Sequence, residues 1–279
     1  MINSELIYRY KNFKNLVITK NINFDVGKYW SNHKNFFDCE LTENGPKNLG
    51  KVNYLENEIR KNEELNLDSN TILKINEKIY KRSPQIEVLE YYFEIIANNS
   101  DKKFNNILEI GAGGGILSSL LRDKFKSKIT IVDIPDMILV SSAQLINIFP
   151  NANLCFPNEV NEKTNMNNFD IIFLLPNQIN LISKEKFDLA INTESFMEMD
   201  YKEVKKYFET INLSLKDKGL FFTSNRIRKV QYFFKYPWKI LSSFKKILLL
   251  KHKIFKNKNT HLILLMKKNK GKVYKNNSI

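Results

Sequence analysis

The residues most able to do chemistry gather in ILEIGAGGGILSSLL, 107–121. An apolar run ends in Glu109, glycines stand at 111, 113, 114 and 115, and an apolar pattern at helical spacing resumes. Glycine lets a backbone turn tightly and lets a ligand lie against it without meeting a side chain. Asp133 closes the next apolar run, KITIVDI, 22 residues after Gly111. An acid about 20 residues beyond such a loop is placed for a ribose diol. A dinucleotide fingerprint needs glycine at its first, third and sixth positions; counted from Gly111 the sixth is Ile116, so that fingerprint fails. What remains is E-x-G-x-G-x-G, from Glu109 through Gly111 and Gly113 to Gly115.

Such a loop must be carried by a strand and a helix, and the sequence supplies both repeatedly. NILEI, KITIVDI, IIFLLP, FDLAIN and GLFFTSN are apolar without alternation, as strands buried on both faces are. ILSSLLRDKF, MILVSSAQLINIF and YKEVKKYFETINLSL lie between them with helical spacing. Strands separated by helices imply parallel crossovers and a doubly wound α/β sheet, whose ligands sit beyond the carboxyl ends of the strands where the strand order reverses. The polar stretch 151–169 reads as an elaborated connection before the third strand. HLILLMKK adds a late strand, with KILLLKHKIF as its hairpin partner. Asp200 and Glu203 form a capping-box pattern at the start of the last helix, and Gly219 in LKDKG is placed to close it. Upstream, VNYLENEIRKNEELN and SPQIEVLEYYFEIIANN look helical, the second with Pro84 in its first turn. The expected organisation is a mainly helical cap region over 1–104 and a sheet domain over 105–279 that ends in a basic segment and a terminal β-hairpin.

The glycine spacing resembles motif I of the class I S-adenosylmethionine-dependent methyltransferases. FDLAINTESFMEMD, YFETINLSLKDKGLFFTSNR and YPW (236–238), with IVDIPD, PNEV and LLPNQI, resemble a bacterial family of sugar O-methyltransferases, over a region from about Pro84 to the C-terminus. The resemblance implies a Rossmann-like, doubly wound, seven-stranded methyltransferase sheet with a helical N-terminal extension. It also implies S-adenosylmethionine as cofactor and transfer of its methyl group to a sugar hydroxyl of a glycan or nucleotide-sugar precursor. On this reading Gly111 and Gly113 are bare because the cofactor's methionine tail and ribose lie against the backbone, Glu109 and Gly115 complete the loop, and Asp133 takes the ribose diol. Asn177 and Gln178, in LLPNQINLI after the third strand, are placed for the adenine edge. With the N-terminal region as a cap, Tyr91 or Tyr92 comes near the cofactor.

Methyl transfer from a sulfonium is an in-line displacement, in which alignment supplies much of the acceleration. An alcohol acceptor must also lose a proton, which calls for a base after the fourth strand. Glu198 is the first candidate and Glu194 the second; Ser195 and Glu198 alternatively fit a capping box. Asn192 is placed either to orient the acceptor or to end the strand. Arg226, in TSNRIRK, suits an acidic sugar or a nucleotide-sugar phosphate, and Tyr236 and Trp238 suit either stacking on a pyranose ring or packing of the hairpin. INTESF stands where enzymes methylating the amino groups of nucleobases carry Asn/Asp-Pro-Pro-Tyr, which argues against a nucleobase acceptor. His33, His252 and His261 are scattered and the carboxylates show no cluster, so a metal-independent reaction is expected.

Composition sets the remaining bounds. Lys+Arg number 44 against 30 Asp+Glu, a net charge of +14, but the excess is spread along the chain, as solvated lysines are. The exception is 226–258, where basic residues alternate with aromatic and aliphatic ones; it suits a peripheral membrane contact or an anionic substrate, and nucleic acid is not an expected partner. Two alternatives to the sugar reading follow: methylation of another small molecule, and a non-catalytic basic binding module on a degenerate methyltransferase fold. Cys39 and Cys155 have no metal-type spacing, and no apolar run approaches the roughly 20 residues that span a bilayer. The N-terminus, MINSELIYRYKNFKN, has no apolar core behind a basic start. A cytoplasmic protein is expected, its oligomeric state open.

Overall fold

The computed structural model describes residues 1–21, 38–49, 58–59, 72–81, 83–99, 103–226, 244–252 and 261–268. Its helices are α1 (Ser4–Ile18), α2 (Pro84–Asn98), α3 (Ile116–Phe125), α4 (Pro135–Ile148) and α5 (Tyr201–Ser214). The early strands are β1 (Glu40–Thr42), β2 (Gly45–Lys47), β3 (Glu58–Ile59), β4 (Ile72–Ile75) and β5 (Lys78–Lys81). The later ones are β6 (Asn106–Ile110), β7 (Lys128–Val132), β8 (Leu154–Cys155), β9 (Ile171–Leu174), β10 (Phe187–Thr193), β11 (Leu215–Arg226), β12 (Phe244–His252) and β13 (His261–Lys268).

The later strands form one sheet in the order β12-β13-β11-β10-β6-β7-β9-β8. From β11 to β8 every pairing is parallel, and β13 runs antiparallel between β11 and β12. The chain leaves β6 towards β7 and β9, then returns to lay β10 against the other side of β6. The order therefore reverses between β6 and β10, and beyond the carboxyl ends of strands at such a reversal is where doubly wound sheets bind their ligands. The sheet is α/β and Rossmann-like, as its residues imply. It holds eight described strands where seven were expected, the addition being the two-residue β8 at one edge, inside the connection 151–169.

β6, β7 and β9 are buried along almost their whole length because helices cover both faces, which is why their sequences do not alternate. One buried cluster joins Ile107, Ile131, Leu189 and Phe222 of the sheet to Tyr10 and Phe13 of α1, Leu41 of β1 and Tyr92 of α2. The opposite face packs Leu108, Leu174 and Ala190 against Phe196, Tyr207, Phe208 and Ile211.

Several local expectations need correction. The region before residue 104 contributes five short strands besides α1 and α2, and Glu58–Ile59, inside the stretch that looked helical, pairs with β5 instead. At α5 the Asp200 side chain makes no capping hydrogen bond. Gly219 does not close that helix either: α5 ends at Ser214, the left-handed residue is Lys218 (φ 61°), and β11 begins at once at Leu215, where the ladder with β10 is irregular. Ser83 does cap α2, accepting from the Ile86 N–H ahead of Pro84. Among the described residues no helix is long and apolar enough to cross a membrane.

Candidate active site

The crevice between β6 and β10 is lined by the turn after each strand. After β6 the chain enters the glycine loop: Gly111 N–H donates to Val132 O at 2.9 Å, Gly115 N–H returns to Ala112 O at 2.9 Å, and Gly115 starts α3. Gly111 has φ 71°, and a Cβ there would lie 2.0 Å from Ser195 Oγ. Its bareness thus admits the β10 turn, a different reason from the cofactor approach expected for it. Gly113, with φ 56°, has nothing within 4 Å of where a Cβ would stand. That open cradle of backbone, in a left-handed conformation that disfavours side chains, is where a ligand can lie against the loop.

Asp133 follows β7 and is half-buried. Its carboxylate accepts from Gly113 N–H (3.1 Å) and Ile134 N–H (2.8 Å), so it ties the loop of one strand to the end of the next. Burial pushes its pKa up to about 7, opposed by those backbone hydrogen bonds and helped by the negative charge of Glu198. Glu109 is buried beneath the loop, where its carboxylate accepts from Ser118 Oγ of α3; burial raises it, too, to about 7. It holds α3 against β6 and does not open into the cradle, contrary to its expected place among the cofactor contacts. Asp136, in the first turn of α4, has one carboxylate oxygen buried with no hydrogen-bond partner among the described residues, and burial raises its pKa to about 6. Nothing in the spacing had marked it.

Beyond β9, residues 176–181 form a 3₁₀ turn. Asn177 is exposed on it. Gln178 has both amide atoms engaged, its Oε1 accepting from Leu175 N–H (2.9 Å) and its Nε2 donating to Pro157 O (2.9 Å). Its side chain therefore shapes the turn and offers no amide face for adenine, which corrects the expected contact.

Beyond β10, a polar bracket fixes the second turn. Asn192 is fully buried, donating through Nδ2 to Ile110 O (2.8 Å) and to Ser195 Oγ, and accepting from Asn225 Nδ2 (3.2 Å). It cannot orient an acceptor from there; it sutures β6, β10 and β11. Asn225 Oδ1 accepts from Met197 N–H (3.3 Å), and Phe196 packs between Tyr207 and Phe208 of α5. Ser195 Oγ lies on Ile110 O and the Asn192 amide and makes no capping bond to the 196–198 turn, so the capping-box alternative for Glu198 is not formed. Glu198 is half-buried in that turn, close enough for its charge to act on Asp133. Glu194 has a left-handed backbone (φ 62°), and its charge acts on Tyr92 of α2 instead. Tyr92 is buried, its hydroxyl oxygen accepting from Ser224 Oγ at 2.8 Å. Arg226 ends β11 opposite His261, but its side chain, like Tyr236, Trp238 and most of 226–258, lies outside the described residues.

Residues 85–254 match the family described as a methyltransferase domain. The chain belongs to that family. This membership, with an open glycine loop and an acid at the end of the second strand, makes S-adenosylmethionine the cofactor. No curated protein matches the sequence. Among solved structures, the chain is similar to the N-methyltransferase NodS from Bradyrhizobium japonicum WM9, at 13% identity and a TM-score of 0.49, covering 67% of this chain and 97% of that one. It is also similar to the 1,6-didemethyltoxoflavin-N1-methyltransferase from Burkholderia thailandensis, at 13% identity and a TM-score of 0.48, covering 65% of this chain and 78% of that one. The substrates of two structures so distant say nothing of the acceptor here.

Proposed function

We propose that this methyltransferase acts on oxygen, methylating a sugar hydroxyl of a glycan or nucleotide-sugar precursor. The observation that carries the oxygen assignment is the placement of Glu198: its carboxylate stands on the turn after β10, across the crevice from the glycine loop, and its charge reaches Asp133. The sugar class rests on the NTESFMEM and YPW segments and their family resemblance.

S-adenosylmethionine, when bound, supplies a methyl group on a positively charged sulfonium. The chain's part is to bind, align and deprotonate. Gly113 leaves the backbone bare, and Asp133, already organised by two backbone N–H groups, is the acceptor for ribose hydroxyls. Asn192, Asn225 and Ser195 lock the 194–198 turn to three strands, so a base carried on it is held in place before the acceptor arrives. Glu198 takes the hydroxyl proton as the oxygen attacks the methyl carbon and the sulfur leaves with the bonding pair; Glu194, whose charge acts on Tyr92 of α2, is the second candidate. Arg226, Tyr236 and Trp238 remain assigned to the sugar and its anionic group.

The test is methyl transfer from labelled cofactor to a panel of nucleotide sugars, free sugars and lipid-linked glycans, each run with wild type and Glu198→Gln. Transfer to a sugar that is lost in the variant supports the reading. Transfer only to amines or to other small molecules overturns it.

A further inference from the structure

We propose that α1 braces the loop after β9 and that Arg9 is a positioning residue for the cofactor; this rests on the cofactor reading of the site, with the exposed Asn177 on that loop placed for the adenine edge. Arg9 lies far from the crevice in sequence, yet its guanidinium clasps Glu159 through Nε (2.7 Å) and Nη2 (2.6 Å) and also donates to Leu154 O (2.6 Å). The planar fork matches a carboxylate in a way a lysine does not. Glu159 is itself tied to its turn, accepting from Phe156 N–H at 2.8 Å. The Pro157 carbonyl in that turn accepts from Gln178, whose other amide atom holds Leu175 N–H. A second route runs beside the first: Phe13 of α1 packs on Phe156 (5.8 Å between ring centroids), and Phe156 stacks on Phe173 of β9 (5.9 Å). Both routes end on β9 and the loop that follows it.

A second arginine clasp lies at the amino end of β9, and the pair makes an internal control. Arg122 of α3 pairs with Asp170, just before β9, donates to Ser127 O and lies over the Phe149 ring. It is comparably buried, but it leads to no ligand loop. A clasp that merely stabilises β9 should behave alike at both ends; a brace for the cofactor should not.

The experiment is calorimetric titration of the full chain with S-adenosylhomocysteine, for wild type, Arg9→Lys, Glu159→Gln and Arg122→Lys, with Tm measured for each. Arg9→Lys and Glu159→Gln should weaken binding about tenfold, whereas Arg122→Lys should lower Tm and leave Kd within about twofold. Arg9→Lys combined with Gln178→Leu should bind no more weakly than Gln178→Leu alone, since both act along one route. Glu159→Gln serves if Arg9→Lys does not fold. Wild-type affinity in both clasp variants, or an equal loss in Arg122→Lys, overturns the brace. If wild type itself binds nothing, the cofactor assignment has failed, and amide hydrogen exchange decides the brace separately: Arg9→Lys should speed exchange at Leu175 and Gln178, and unchanged rates there overturn it.

Discussion

At the amino ends of the strands, Asp188 accepts from the N–H groups of Asn105 and Asn106 (both 2.9 Å) and pairs with Lys216 (2.7 Å), and Asp170 accepts from Asn153 N–H and pairs with Arg122. At the carboxyl ends, Glu109, Asp133 and Asp136 have no basic side chain within ion-pairing distance among the described residues. The acids at one end are neutralised and their work is structural. Glu109, Asp133 and Asp136 at the other are held by hydroxyl or backbone N–H groups, their pKa values raised by burial, with no cation beside them among the described residues. Such an edge suits a ligand that brings hydroxyl donors and positive charge, which the cofactor's ribose and sulfonium do.

The sharpest way to break this comparison is at the base. Glu198→Gln should lower kcat by about 10²- to 10⁴-fold with little change in cofactor affinity, because it removes a proton acceptor and not a ribose contact. Glu194→Gln should cost far less, and equal losses in steady-state kinetics would show that the two acids share the task.

A smaller effect separates the two glycines. Gly111→Ala drives a Cβ into Ser195 and should destabilise the fold by about 2–4 kcal/mol, from overpacking and left-handed strain together. Gly113→Ala meets no neighbour and should cost only about 1–2 kcal/mol of strain, yet impair cofactor binding more than its Tm loss suggests. Thermal melts with and without S-adenosylhomocysteine check both.

Smallest is the amino edge. Asp188→Asn should reduce stability by about 1–2 kcal/mol in a denaturant titration and leave cofactor affinity unchanged. A loss of affinity there would mean that the two ends of the sheet are coupled.

The sequence made the sheet legible because strands buried on both faces are unbroken apolar runs, and the crossovers between them follow from chain order. It marked the glycine loop and Asp133 because those need particular residue types at particular spacings. It did not separate the jobs of Gly111 and Gly113, since the neighbour that demands a bare Gly111, Ser195, is distant in the chain. Asn192 and Gln178 misled for a related reason: an amide at a strand end serves a ligand or a suture equally well until its partners are known. The Arg9–Glu159 clasp, spanning most of the cap and half the sheet, carries no local pattern at all, and the five short strands before α2 are too brief for alternation to show.

The proposed role of Asp133 is that of a carboxylate kept for the cofactor's ribose. Because burial raises Asp133 and Glu109 in the folded protein to about 7, above the roughly 4 of the unfolded chain, ligand-free stability should fall as pH rises from about 4 to about 7. A ligand that requires ionised Asp133 should show the opposite trend, binding more weakly as pH falls below about 7. The decisive measurement is calorimetric titration with S-adenosylhomocysteine at pH 8 and pH 6, on wild type and Asp133→Asn. Binding should be tighter at pH 8 than at pH 6, accompanied by proton release near pH 7, and weakened about 100-fold in the variant. Absence of binding by folded wild type, or equal affinity in the variant at both pH values, would contradict it.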